Sequence, residues 1–319
     1  MSHLLARKKS SSSSLRRKQS EAGSVTSSDT TPSDQQPREV KSAPYKDERY
    51  ETLLETRGSF MGKPEVGVGD VSKSFNRKLF DMAQTSPDNS LFRDDLFDRA
   101  CQNLQNKNEA KIVQDISRLI VPSAEHLALF GAKDLDILVM SVNEGWNNSI
   151  PLIKTRPQPG YSAGFRRSAF TNEQLQKLQR FVGELTDMSY SMATYYIMTL
   201  TVKGVVELFR LAKREKEVDQ EILAFSMSHD HSMVRIYGHY PVIEGKNTAF
   251  YWHHIRKFDF TEQDGKERWT AYKFTKNVYD VWMPTHFARI CSVSSPERRH
   301  HRYLGGSKHA YDGGLVGHA

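Results

Sequence analysis

The sequence predicts an α/β (α+β) fold in which a mixed sheet is flanked by helices and both ends of the chain are disordered. Three observations support this prediction. Residues 202–245 change from a helical pattern to a strand pattern without a break, amphipathic helix patterns dominate before residue 130, and both ends have almost no apolar content. An apolar helix face followed directly by alternating residues indicates a helix that packs on a sheet.

The helix and hairpin of residues 202–245 form the clearest pattern in the chain. Val206 and Phe209 belong to an apolar series with the i, i+3, i+4, i+7 spacing of one helix face. The charged residues 213–217 are expected to close this helix through i, i+4 pairs. Residues 223–227 and 234–240 then alternate as two strands, and the polar HDHS between them is expected to form the turn.

The patterns on either side of this stretch complete the predicted fold. Strands are predicted at Tyr161 to Phe165 and Thr248 to Phe260, whereas residues 135–150 fit a strand or a helix equally well. Thr171 is the expected N-cap of a helix, with Gln174 completing a capping box. A helix lined by Trp269, Tyr272, Tyr279 and Trp282 is expected to end before Pro284, and a short final helix is expected near residues 285–293. Helices are also predicted at residues 45–54, 72–83, 94–104, 112–120 and 124–130.

Composition divides the chain into three parts. Residues 1–44 are rich in Ser, Thr, Gln and Pro, and residues 294–319 are rich in Gly, His and Arg. Neither segment has the apolar side chains that offset the entropy of ordering, so both are predicted to be disordered basic tails. The remaining residues 45–293 are predicted to form one folded domain, with a helical N-terminal part at 45–130 and a core at 131–293.

Charge and cysteine content narrow the function classes. The net charge of +7 and the pI near 9.2 favour an acidic partner, of which nucleic acid is the commonest. Two cysteines are too few for a disulfide framework, which favours an intracellular protein. No membrane span is expected. The basic clusters at residues 7–9 and 16–18 resemble a bipartite nuclear import signal, and an exposed basic tail without a receptor is the alternative.

Long collinear stretches of the chain resemble a large, uncharacterised fungal domain family. The stretches are NEAKIVQDISRLIVPSAEHL, VNEGWNNSIPL, RPQPGYSAGFRRSAF, VVELFRLAKREKE, EILAFSMSHDHSMVRIYGHYPVI and ERWTAYKFTKNVYDVWMP. Fuller members of that family look like PD-(D/E)xK restriction-endonuclease-like domains. The resemblance implies an aspartate in the segment equivalent to RPQPGYS and a Glu-x-Lys strand before the long helix. In such sites two carboxylates hold a divalent metal and the lysine assists the attacking water.

The chain departs from that pattern at both halves of the implied site. The aspartate position is Gly160, and residues 192–198 run directly into Thr199, so the Glu-x-Lys strand is expected to be absent. Loss of both metal carboxylates predicts a non-catalytic, degenerate domain that needs no cofactor. Migrated replacements are the alternative, with these candidates: Glu184, Asp187, Lys203 and Glu207.

Basic residues near the implied site predict contacts with nucleic-acid phosphates. These residues are Arg166, Arg167, Lys203, Arg210, Lys213 and Arg214. The metal interpretation of His229 and His231 is weaker, because Asp230 lies between them where the hairpin must turn. The leading hypothesis is therefore a nuclease-like domain that binds nucleic acid without cutting it. A protein-interaction module, a decayed copy or a metal-dependent nuclease with migrated residues are the alternatives, and the oligomeric state is left open.

Overall fold

The computed structural model describes residues 49–144, 160–179, 190–193 and 197–295. Their mixture of helices and two sheets confirms the predicted α+β class. The helices are α1 (Tyr50–Glu55), α2 (Asp70–Asp81), α3 (Phe97–Leu104), α4 (Glu109–Ile120), α5 (Ala124–Leu129), α6 (Asn172–Leu178), α7 (Ile197–Leu211), α8 (Thr270–Asn277) and α9 (Met283–Ser294). The strands are β1 (Ser59–Phe60), β2 (Leu138–Val142), β3 (Tyr161–Phe165), β4 (Tyr190–Ala193), β5 (Ala224–His229), β6 (Met233–Glu244) and β7 (Asn247–Asp259).

The strands form two sheets. The larger has the order β1-β7-β6-β5, in which β1 is parallel to β7 and the other neighbours are antiparallel. The smaller is an antiparallel sheet with the order β2-β3-β4. The hairpin of β5 and β6 is confirmed, since Ala224 pairs with His239 and His229 pairs with Val234.

Helices cover both faces of the larger sheet. On one face, Thr199 of α7 bonds Ser59 of β1 through their hydroxyls at 2.8 Å, and Val206 and Phe209 are fully buried. The opposite face carries Phe225, whose ring meets that of Phe274 in α8 edge to face. Burial of apolar residues on both faces makes this sheet the centre of the core.

The charged residues 213–217 do not continue α7, so the predicted i, i+4 pairing there is wrong. Lys213 has a left-handed backbone with φ of 57°, and the amide of Arg214 donates to Phe209 O at 2.9 Å. Such a bond closes a helix at its C-terminus. Glu215–Glu217 forms a separate 3₁₀ turn in which Arg214 pairs with Glu217.

A strand does precede α7, which corrects the expectation that this strand is absent. Tyr190–Ala193 forms β4 and pairs with β3, and α7 begins at Ile197. Hydrogen bonding to β3 outweighs a local pattern that is too short to distinguish strand from helix.

Two further differences arise from contacts that are remote in sequence. The part expected to be helical, residues 45–130, contributes β1, which pairs with Phe250 and Tyr251 of β7. The helix after residue 270 does not end before Pro284, because a π-type turn at Val278–Trp282 leads directly into α9. Proline is tolerated there because the first turn of a helix needs no intrahelical amide donor.

Side-chain hydrogen bonds satisfy backbone groups at two helix ends. The sequence predicts one of these caps, and only the tertiary structure shows the other. The capping box of Thr171 and Gln174 is confirmed, with bonds of 2.9 and 3.3 Å. The buried Asn277 of α8 donates its amide to Leu79 O at 2.8 Å and Met82 O at 3.0 Å. It therefore satisfies carbonyl groups at the C-terminus of α2.

The predicted tails lie outside the described residues, except for residues 294 and 295. The same holds for the basic clusters at 7–9 and 16–18. Within the described ranges, every helix is too short or too polar to cross a bilayer.

Candidate nucleic-acid interface

Gly160 lies immediately before β3, at the position where the resemblance implies an aspartate. It is exposed, and its carbonyl accepts a hydrogen bond from the amide of Asn143 at 3.2 Å. A Cβ built at Gly160 would find the Asn143 Oδ1 atom at 4.0 Å and nothing closer. An amide oxygen is a weaker metal ligand than a carboxylate.

The neighbouring strand β4 precedes α7 and does not have the residue types of the Glu-x-Lys strand that the resemblance implies. β4 reads Tyr-Ser-Met-Ala, and Ala193 pairs with Ser162 of β3. None of these residue types carries a carboxylate or an amine. β3 and β4 are therefore adjacent strands, and α7 follows β4 along the chain.

The proposed migrated residues do not form a carboxylate cluster in the described ranges. Glu207 bonds Arg210 on the same helix at 2.7 Å, and Lys203 is exposed on α7. Glu184 and Asp187 lie outside the described residues. No group of three or more His, Cys, Asp or Glu residues converges as a metal site within the part of the chain that is described.

The six predicted phosphate contacts divide into two groups. Three arginines form salt bridges with acidic side chains: Arg166 with Glu125 at 3.2 Å, Arg210 with Glu207 at 2.7 Å and Arg214 with Glu217 at 2.6 Å. The other three residues, Arg167, Lys203 and Lys213, are exposed. A paired guanidinium has already exchanged part of its hydration for a carboxylate, so the exposed three are better placed to meet a phosphate.

Arg118 adds a cation next to Gly160 that the sequence did not single out. Its guanidinium lies 4.2 Å from the ring centroid of Tyr161, the first residue of β3. Burial raises the pKa of Tyr161, and the positive charge of Arg118 opposes that rise. The stacking holds the guanidinium at the start of β3.

His229 and His231 flank a turn that Asp230 organises. The Asp230 carboxylate accepts hydrogen bonds from the amides of Ser232 at 2.9 Å and Met233 at 2.8 Å. Burial alone would raise the pKa of Asp230, but these backbone bonds outweigh it and lower the pKa, with help from Arg235. The turn interpretation of this segment is confirmed, and the structure shows Asp230 turned toward the backbone.

A groove between α2 and β7 is a further polar site that the sequence analysis missed. Its volume is about 520 Å³, and it is lined by Lys73, Asn76, Arg77, Phe80, Asp81, His253, Ile255 and Arg256. A signal for it was present, since the polar Asn76 lies on the buried stripe of α2. Polar residues on such a stripe indicate a partner other than the apolar core.

Comparisons with known proteins give a family without an activity. A family model described as a domain of unknown function (DUF7924) matches residues 96–198 and 197–294, which together exceed half of the chain. The two matches meet at Ile197 and Met198, the start of α7. No curated protein and no solved structure matches the chain.

Proposed function

Because the chain belongs to the DUF7924 family, whose domain has no assigned function, we propose a function from its geometry: a non-catalytic, nuclease-like domain that holds nucleic acid by its phosphates. The observation that carries this proposal is the pair of strands β3 and β4 before α7. In this proposal, Gly160 and the Tyr-Ser-Met-Ala strand correspond to the positions at which the resemblance implies the carboxylates and the lysine of a PD-(D/E)xK site.

The family match is divided close to this corner. Its two parts meet at residues 197 and 198, at the start of α7. In the proposal, this is where the chain departs from the fuller members of its family. The fungal source and nuclear location implied by the resemblance and the basic N-terminus remain predictions of the same hypothesis.

Cations at both ends of β3 and on α7 support phosphate binding without cleavage. Arg118 lies by the start of β3, while Arg167 follows β3 and Lys203 is exposed on α7. Cations in such positions neutralise phosphates without reading bases. The resulting affinity should depend strongly on salt and weakly on sequence.

A plasmid-cleavage assay tests the catalytic half of the proposal. The full chain with Mg²⁺ or Mn²⁺ is expected to leave supercoiled DNA intact, because two metal carboxylates are missing. Turnover that Glu207→Gln abolishes would establish the alternative of a nuclease with migrated residues. Turnover that persists in this variant would also refute the proposal.

Salt-dependent binding tests the other half. Fluorescence anisotropy with a short DNA duplex measures the binding constant. Its logarithm should fall linearly with the logarithm of the salt concentration, with a slope of about −0.9 for each phosphate contact. The combined Arg167→Gln, Lys203→Gln and Lys213→Gln variant should reduce that slope. A control with the same charge change replaces three other exposed lysines by glutamine: Lys107, Lys133 and Lys257. Equal effects of the two variants would mean that only net charge or the tails matter.

A protein-interaction module is the second candidate, and one observation favours it. Leu129 and Phe130 at the end of α5 are 83% and 90% exposed. Large apolar residues next to one another on a surface mark contact sites more often than isolated ones. If the full chain shows no salt-dependent DNA binding, sedimentation of the parent and of Phe130→Ser would show whether this pair mediates self-association.

A further inference from the structure

The groove between α2 and β7 lies on the opposite face of the larger sheet from α7. His253 pairs with Gly238, which in turn pairs with Phe225 on the face covered by α8. Thr199 of α7 instead bonds Ser59, which pairs with Phe250 on the other face. The groove is therefore separate from the corner of β3 and β4, and an inference about it does not rest on the function proposed above.

One buried donor in the groove has no partner among the described residues. Asn76 is only 6% exposed, and its Nδ2 atom forms no hydrogen bond with any described residue. Buried polar atoms in folded proteins almost always have a partner. Because Asn76 lines the groove, an acceptor oxygen of a molecule bound there is a candidate partner for this donor.

Cationic and donor groups surround that amide. Arg77 is exposed, and Lys73 bonds Asp70, whose side chain is 97% exposed and therefore strongly screened by water. Arg256 is held in place by Glu267 at 2.9 Å, with the guanidinium 5.3 Å from the Phe80 ring centroid. An arginine fork and an ammonium group next to an amide are the donors that bind phosphate oxygens.

The local electrostatic field also favours an anion. Burial lowers the pKa of His253, and the charged groups that lower it further are Lys63, His254 and Lys73. Asp81 is the acidic residue that lines the groove, and it is exposed to solvent. The lysines near the imidazole favour an anion over a cation at this wall of the groove.

We propose that this groove binds a phosphate group, through Asn76, Arg77, Lys73 and His253. Its volume of about 520 Å³ accommodates a phosphate together with the group to which it is attached. The phosphate can belong to a small phosphorylated molecule or to a nucleic-acid backbone, since both present the same oxygens to these donors.

Calorimetric titration of the full chain with inorganic phosphate tests the site. Saturable binding is expected, and Arg77→Gln should weaken it by about tenfold, because a charge-assisted hydrogen bond is lost. Lys78→Gln is the matched control, since Lys78 is the next residue on α2, is exposed and does not line the groove. It removes the same charge and should change the affinity by less than about twofold.

Asn76→Asp is a second variant that replaces the donor by an acceptor of the same shape. It should abolish phosphate binding, and its melting temperature shows whether it folds. If it does not fold, Arg77→Gln and Lys78→Gln still decide the question. Absence of saturable binding at millimolar phosphate, or equal weakening by these two glutamine variants, would overturn the proposal.

A second titration then identifies the kind of molecule that carries the phosphate. A short single-stranded oligonucleotide without a terminal phosphate is titrated into the parent and Arg77→Gln proteins. If Arg77→Gln weakens the binding of both inorganic phosphate and the oligonucleotide, the groove receives a nucleic-acid backbone. If it weakens only the binding of inorganic phosphate, the groove binds a small phosphorylated molecule. Either result is independent of any DNA binding near β3.

Discussion

Acidification is expected to destabilise this protein through two histidines in its core. His239 on β6 and His286 on α9 are almost completely buried, and burial lowers the pKa of each to about 3. His239 bonds the Ser226 hydroxyl at 2.7 Å, and the His286 ring stacks on Trp282 with centroids 4.5 Å apart. Arg289 lowers the pKa of His286 further.

The sign of the effect follows from proton binding. In the unfolded chain both imidazoles have the ordinary value of 6.5, so below that pH the unfolded state binds protons that the folded state does not. Their contribution to stability is complete above pH 6.5 and is lost progressively as the pH falls toward 3. At about pH 5.0 the loss is about 2 kcal/mol for each histidine, or about 4 kcal/mol together, relative to about pH 7.5.

Urea unfolding at several pH values measures this loss. His286→Phe keeps an aromatic ring against Trp282 but cannot titrate, so it should recover about 2 kcal/mol of the difference between the two pH values. The substitution can also change the stability at neutral pH, but such a change does not affect the difference in stability between the two pH values. His254→Gln, which alters an exposed imidazole, is the control. If His286→Phe loses as much stability on acidification as the parent, the burial argument is wrong.

Two further substitutions test the packing, each with a matched control. Gly265→Ala should destabilise the protein by about 2 kcal/mol or more, because the φ of Gly265 is 74° and the new Cβ would lie 2.4 Å from Phe97. Gly204→Ala is the control. Because a Cβ at Gly204 in α7 meets open space, this substitution should stabilise the protein by about 0.5 kcal/mol. Denaturant unfolding measures both, and a stable Gly265→Ala protein would contradict the contact. Asn277→Ala should lower the stability by about 2 to 3 kcal/mol, because it leaves the carbonyl groups of Leu79 and Met82 without their side-chain donor. The control Asn103→Ala, at an exposed position, should be nearly neutral. Equal shifts of the melting temperature in the two variants would refute the capping role of Asn277.

Elements with a strong local period could be predicted from the sequence. The apolar face of α7 and the alternation in β5 and β6 appear as expected, with Val206, Phe209 and Ile236 fully buried. Polar residues with one dominant local role were also predictable, as the capping box of Thr171 and the turn at Asp230 illustrate. These features depend on neighbours within a few residues, which the sequence shows directly.

The candidate sites could be predicted only in part. The sequence shows a glycine at position 160, where the resemblance implies an aspartate, and the structure shows its surroundings. Of the six expected cations, the sequence could not distinguish the paired Arg166 from the exposed Arg167, because Glu125 lies 41 residues away. The groove at Asn76 was missed because its second wall, β7, lies far along the chain.

The sequence by itself determined the amphipathic helices, the central hairpin and the absence of carboxylates in the Tyr-Ser-Met-Ala stretch. Only the tertiary structure decided that this stretch is a strand beside β3, that β1 joins β7, and that Asn277 caps α2. The physical reason is the range of the interactions involved. Helix faces and turns are set by contacts between near neighbours, whereas strand pairing and buried hydrogen bonds depend on which distant segments the core brings together.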